Sequence, residues 1–112
     1  MSSVFTKIIN KEIPADIIYE DSDLIAFNDI NPQAPVHFLV VPKKEIPTLN
    51  DIKEEDRPLI GKMFCVAKNI AMEMGVDATG YRAIFNCNED GGQTVFHIHL
   101  HIIGGKKLPF SM

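Results

Sequence analysis

Hydrophobic residues follow a helical period in two parts of the chain. Between Glu54 and Gly75 they recur every three to four positions, the stripe of a helix packed on a core. Acidic residues and a proline at its start and a glycine at its end are typical helix boundaries. Val4–Lys11 carries a shorter stripe, with Ser2 or Ser3 as the cap. We therefore predict one long helix and one short one.

The remaining apolar runs have the period and turn boundaries of strands. They predict five strands, at Ile17–Glu20, Leu24–Asn28, His37–Val41, Tyr81–Phe85 and His97–Ile103. Strands and helices do not alternate regularly, so the sequence predicts an α+β fold with one mostly antiparallel five-stranded sheet. One face of that sheet would carry the long helix. The other face must be covered or must form a site.

The predicted fifth strand carries most of the candidate chemistry. Its histidines, His97, His99 and His101, alternate with aliphatic residues. Since alternate residues of a strand share a face, all three imidazoles should project from one side. A diglycine stands on each side of the run, and glycine amides can form a concavity that binds anions. This pattern predicts a chemical site.

Three interpretations of the histidine run stay open on the residues alone. A neutral imidazole near pH 7 is a good nucleophile toward phosphorus, with Thr94 and glycine amides as hydrogen-bond donors. Alternate histidines could instead bind Zn²⁺, although three same-face positions span about 13 Å and no carboxylate or Cys lies within the strand itself. The third interpretation is an exposed polar sheet face. The nucleophile is the preferred hypothesis.

Composition limits the class of protein. The 112 residues suit one domain, 1–112, and 46% hydrophobic content with 23% charged residues is typical of a globular protein. The net charge of −4 and the absence of long basic clusters argue against a nucleic-acid partner. Cys65 and Cys87 lie outside any metal or redox spacing, as expected of free thiols. With no long apolar span or signal-like N-terminus, we expect a cytoplasmic chain without a membrane partner.

The His-x-His-x-His run followed by two apolar residues resembles the signature of the histidine triad superfamily. The resemblance extends from about Val4 to Gly105. It includes the segments 5–15, 26–35, 37–44 and 91–94, all similar to the histidine triad nucleotide-binding branch.

This resemblance implies a purine nucleoside phosphoramidase that cleaves the P–N bond of AMP–amine conjugates, with GMP conjugates as a second substrate class, without a metal or other cofactor. His99 would be the nucleophile that forms a nucleotidyl-histidine intermediate, and His101 would contact the phosphate. His97 and His37 would orient the imidazoles and relay protons, while Thr94 would place a hydroxyl near the leaving group.

The resemblance also implies a nucleotide pocket and a dimer. Gly92, Gln93 and Asn86 would lie on the phosphate side, and Asp29 and Ile30 would contact the ribose. The base would lie against four apolar residues, Phe5, Ile8, Ile13 and Phe27. In this family the sheets of two protomers join across a homodimer into one ten-stranded sheet.

Two further hypotheses remain beside the phosphoramidase. A nucleotide-binding scaffold or regulatory protein would bind AMP tightly and hydrolyse phosphoramidates only incidentally, so turnover separates it from the enzyme. A zinc hydrolase would lose its activity to a chelator.

Overall fold

The computed structural model describes residues 3–110, which form the predicted α+β fold. Its elements in chain order are α1 (Val4–Ile9), β1 (Ile17–Glu20), β2 (Leu24–Asn28), β3 (Val36–Pro42), α2 (Arg57–Glu73), β4 (Tyr81–Ile84) and β5 (Leu100–Gly104). Two short 3₁₀ helices, Leu49–Asp51 and Glu54–Asp56, precede α2. No helix within residues 3–110 is long and apolar enough to cross a bilayer.

The five strands form one antiparallel sheet in the order β1-β2-β3-β5-β4. The histidine-bearing β5 therefore lies inside the sheet, between β3 and β4. Its register against β3 places Leu39 opposite His101 and His37 opposite Ile103. Because diagonal neighbours on one face are within reach of long side chains, His37 and His101 can meet.

Each face of the sheet has its own apolar cluster. The larger cluster joins Leu100 and Ile102 to the inner stripe of α2, in which Met63 and Ile70 are buried. The smaller cluster lies on the opposite face, beneath Phe5 and Ile8 of α1. The long helix thus covers one face, as predicted, and the short helix only partly covers the other.

The boundaries of both helices follow from their caps. The side chain of Ser3 accepts the main-chain N–H of Thr6 at the start of α1. The helix ends at Ile9 instead of the predicted Lys11, which has a positive φ of 62°. The predicted start of the long helix at Glu54 is a 3₁₀ turn, and α2 proper begins at Arg57.

Candidate active site

A cavity of about 670 Å³ opens on the face that α1 only partly covers. Eleven of the fourteen residues given a catalytic or binding role from the sequence line it, His99 and His101 among them. The eleven are Phe5, Ile8, Ile13, Phe27, Asp29, Ile30, Asn86, Gly92, Thr94, His99 and His101. The other three, His97, His37 and Gln93, do not line the cavity.

His99 is held with one ring nitrogen toward the protein and the other free. Its Nδ1 lies 2.8 Å from the main-chain carbonyl oxygen of His97. Since a carbonyl only accepts, Nδ1 carries the hydrogen, and Nε2 of the neutral ring keeps its lone pair. The ring of Phe5 packs edge-on against His99, with centroids 4.8 Å apart. The arrangement leaves the lone pair on Nε2 of His99 available for attack on a substrate.

His101 has the opposite tautomer, because of its contact with His37. The main-chain N–H of Gln33 donates to Nδ1 of His37 at 3.0 Å, so the hydrogen of neutral His37 is on Nε2. That Nε2 lies 3.1 Å from Nδ1 of His101 and donates to it. The hydrogen of His101 is therefore on Nε2, where it can serve as a donor to an anion.

Burial keeps these imidazoles uncharged. It lowers the pKa of His99, His37 and His101 below the ordinary value, because a charged ring loses its hydration inside the protein. The neighbouring His99 and His37 lower the pKa of His101 further, to about 4. The carboxylate of Asp29 raises the pKa of all three histidines, but this effect is smaller than the lowering caused by burial. All three rings are neutral at pH 7.

His97 lies behind the cavity, fully buried. Its Nε2 donates to the carbonyl oxygen of Pro42 at 2.7 Å, and its Nδ1 lies 3.2 Å from the hydroxyl of Ser3. Burial lowers its pKa too, although Pro42 and Glu45 raise it in part. His97 thus holds the main chain whose carbonyl orients His99.

The predicted start of the fifth strand at His97 is wrong, since regular pairing begins only at Leu100. The main-chain N–H of Ile98 bonds to the carbonyl oxygen of Ile46, in a loop, at 2.8 Å. The alternation of sides is nevertheless confirmed. Ile98 lies in the cluster beneath α2, whereas His97 and His99 both contact Phe5 on the other face.

The cavity is lined by both apolar and polar residues. Phe5, Ile8, Ile13 and Phe27, which were predicted to contact the base, form its apolar wall and pack in the smaller cluster. Asp29 also lines the cavity, and its Oδ2 lies 3.4 Å from Nε2 of His37. Its Oδ1 accepts the main-chain N–H of Asn31 at 2.8 Å, which fixes the carboxylate. Ile30 lines the rim and is 93% exposed.

The residues predicted to lie on the phosphate side, together with Thr94, predicted near the leaving group, divide into two groups. Asn86, Gly92 and Thr94 line the cavity. The side chain of Gln93 is buried instead, and its amide donates to the carbonyl oxygens of Pro47 and Val95 and accepts the N–H of Asn88. With its side chain fully engaged, Gln93 braces the loop, and any anion contact from it would come from its main chain.

Several residues that shape the site carried no signal in the sequence. Leu39 lines the cavity because the strand register places it opposite His101. Gln33 and Pro42 act through main-chain groups, which no side-chain pattern reveals. Ser3 was predicted only as a possible helix cap, and its contact with His97 spans 94 positions of sequence.

Within residues 3–110 one group could supply three metal ligands, and it differs from the histidine run considered from the sequence. It consists of Asp29, His37 and His101, whose ligand atoms lie within 4.8 Å of one another. A histidine that binds a metal through Nε2 donates its Nδ1 hydrogen to a neighbour. Here Nδ1 of His37 accepts a hydrogen bond from Gln33 instead. The group therefore does not fit a metal, and it fits a chain of hydrogen bonds.

Comparison with known proteins gives consistent matches over almost the whole chain. The family described as "Scavenger mRNA decapping enzyme C-term binding" matches residues 2–110. A purine nucleoside phosphoramidase of Escherichia coli (strain K12) is 49% identical over 106 residues, which are 95% of this chain and 89% of that protein.

Solved structures agree in fold. A HIT family hydrolase from Legionella pneumophila Philadelphia 1 superposes with a TM-score of 0.95 at 45% identity, covering 97% of both chains. A histidine triad protein from Clostridium difficile gives a TM-score of 0.95 at 49% identity, covering 100% of this chain and 97% of the other. The chain therefore belongs to the histidine triad (HIT) family.

Proposed function

We propose that this protein hydrolyses the P–N bond of purine nucleoside phosphoramidates, with AMP–amine conjugates as substrates and GMP conjugates as a second class. The observation that carries the proposal is the pair of opposite tautomers in the cavity. His99 offers a lone pair at Nε2, and His101 offers a hydrogen-bond donor. The similarity to a purine nucleoside phosphoramidase supports the choice of substrate class.

In the first step, Nε2 of His99 attacks the α-phosphorus. A bond forms between this nitrogen and phosphorus, and the bond from phosphorus to the amine breaks. His101 donates to a non-bridging oxygen, where it stabilises the charge that develops in the transition state. The departing nitrogen takes up a proton, and the hydroxyl of Thr94, at the edge of the cavity, is the group proposed to pass that proton from solvent.

In the second step, water attacks the phosphorus of the nucleotidyl-histidine. The bond from phosphorus to Nε2 breaks, the nucleoside monophosphate leaves, and His99 returns to its neutral state. The proton lost by water passes to solvent. Neutral imidazoles suit both steps, since a protonated His99 would have no lone pair for the attack.

Turnover of adenosine 5′-monophosphoramidate by the wild-type protein and by His99→Ala tests this function. We expect amine release by the wild type, no measurable turnover by the variant, and unchanged folding of both. The same rate with and without EDTA is expected, and a rate abolished by the chelator would favour the zinc hydrolase. Tight AMP binding without turnover of any phosphoramidate would favour the scaffold.

We also propose a homodimer. Strand β4 is an edge of the sheet, and an open edge exposes main-chain groups that can pair with a second copy. Beside it the rings of Phe64 and Phe85 are in contact, and Phe64 is 47% exposed. Pairing of β4 with its symmetry mate would give the ten-stranded sheet. Sedimentation at micromolar concentration should give a dimer, and Phe64→Glu should weaken it, whereas a wild-type monomer would refute this assembly.

The proposed location is the cytoplasm. Cys65 and Cys87 are both free, as is usual for proteins in a reducing compartment. Fractionation of cells that express the protein, with immunodetection, would test the location.

A further inference from the structure

The segment that carries His99 lacks the hydrogen-bond ladder of the sheet. Strand β5 begins at Leu100, so His99 lies immediately before regular pairing. The orientation of its ring depends on the carbonyl of His97, and His97 is held by side-chain and loop contacts. Any group that fixes His97 therefore acts on the nucleophile.

Ser3 is such a group, and its hydroxyl has a defined direction. Since Nε2 of His97 donates to Pro42, Nδ1 of the neutral ring carries a lone pair and must accept. The Ser3 hydroxyl, 3.2 Å away, is the donor that satisfies it. The same oxygen accepts the main-chain N–H of Thr6 at 3.1 Å. One hydroxyl thus serves both the histidine and the start of α1.

This double contact links the apolar wall of the cavity to the histidines. Helix α1 supplies Phe5 and Ile8 to the apolar wall, and Phe5 also packs against His99. The helix is tied to the loop after β3, because the hydroxyl of Thr6 donates to Glu45 at 2.7 Å. A displacement of Ser3 would move the wall and the anchor of the nucleophile together.

We propose that Ser3 is a positioning residue for catalysis, whose hydroxyl holds His97 and, through the His97 carbonyl, the ring of His99. The proposal rests on the proposed function for its kinetic consequence. Its structural content, a hydroxyl that donates to Nδ1 of a buried His97, is independent of the substrate. Loss of this donor leaves Nδ1 of His97 as a buried, unsatisfied acceptor, and the segment that carries His97 and His99 must shift to satisfy it.

Two substitutions separate positioning from helix capping. Glycine keeps most of the N-cap preference but has no hydroxyl, whereas threonine keeps both functions. We expect Ser3→Gly to lower kcat about tenfold, because small displacements of reacting groups are costly, while KM changes less than about threefold. Ser3→Thr should restore kcat to within about twofold of the wild type. A wild-type kcat in Ser3→Gly would overturn the proposal.

The hydrogen bond between Thr6 and Glu45, which does not involve His97, should matter less for kcat than the Ser3 hydroxyl. The Thr6–Glu45 hydrogen bond is exposed, where solvent can replace either partner. Thr6→Val and Glu45→Ala are therefore expected to lower kcat less than Ser3→Gly. Glu45→Gln keeps an acceptor for Thr6 and should be closest to the wild type. An equal loss of kcat in Ser3→Gly and in the three variants of Thr6 and Glu45 would overturn the assignment of the main effect to Ser3.

A spectroscopic measurement tests the contact without turnover. The ¹⁵N signals of His97 should report a protonated Nε2 and a hydrogen-bonded, unprotonated Nδ1. Ser3→Gly should shift the Nδ1 signal, and Ser3→Thr should restore it. An unchanged Nδ1 signal in Ser3→Gly would overturn the proposal. If the wild type turned over no phosphoramidate, the proposed function would fail, and these signals would still decide the role of Ser3.

Discussion

Nε2 of His37 donates to Nδ1 of His101 across a distance of 3.1 Å, and this contact sets which nitrogen of His101 faces the cavity. The main-chain N–H of Gln33 fixes His37 in turn. His37, which does not line the cavity, thus decides whether His101 can donate to a phosphate oxygen.

His37→Phe should therefore impair catalysis while keeping the bulk of the ring. Nδ1 of His101 would lose its donor, and an unsatisfied buried acceptor costs about 1–3 kcal/mol, or roughly 5- to 150-fold in rate if expressed at the transition state. His37→Gln, with an N–H near the position of Nε2, should recover part of kcat. Steady-state kinetics measures both, and equal kcat in His37→Phe and the wild type would contradict this role.

The rate should persist below the pH at which an ordinary histidine becomes protonated. Burial lowers the pKa of His99 and His101, so both rings remain neutral as the pH falls through 6.5. The acid limb of the kcat–pH profile is expected below 6.5. A limb centred at or above that value would show that the nucleophile titrates as an exposed imidazole does.

The free energy of unfolding should decrease over the same range of pH. The folded-state pKa of His101 is about 4, against 6.5 for an ordinary histidine. The unfolded chain therefore binds more protons between these values, and the stability present above pH 6.5 is lost as the pH falls toward 4. Urea unfolding at pH 7 and pH 5 measures this. Equal stability at the two values would contradict the buried, neutral state of the histidines.

Gly91 and Gly61 offer a matched pair of Gly→Ala substitutions. A Cβ on Gly91 would lie 2.5 Å from the carbonyl oxygen of Cys87, so the turn must open and displace Gly92 and Thr94. We expect a loss of stability of about 1–3 kcal/mol and a fall in kcat. Gly61, on α2, has open space around it, and alanine there should stabilise the helix by about 1 kcal/mol with no change in kcat. Thermal unfolding and kinetics test both, and a neutral Gly91→Ala would contradict the close packing of this turn.

Much of the fold was predictable from periodicity because local pattern and burial agree. The stripe of α2, with Met63 and Ile70 inward, specifies one buried face, and the alternation around β5 places Ile98 and the histidines on opposite sides. The boundary of β5 was not predictable. It depends on the bond from Ile98 to the carbonyl of Ile46, which forms only once the loop after β3 has folded.

The candidate site was predictable to the level of side-chain types. The histidine run and its resemblance to the HIT family indicated His99 and His101, which line the cavity. The tautomers of these rings were not predictable, since they depend on main-chain groups of His97 and Gln33. Every residue has a main-chain carbonyl and every residue except proline has an N–H, so only their positions in the fold give these groups a role.

The central claim is that Nε2 of His99 forms the covalent intermediate. Rapid quenching of the wild-type protein during turnover of an AMP phosphoramidate, followed by peptide mass spectrometry, tests it most directly. We predict a nucleotidyl adduct on the peptide that contains His99, located at that residue and absent from His99→Ala. An adduct on another residue, or undiminished turnover in His99→Ala, would contradict the claim.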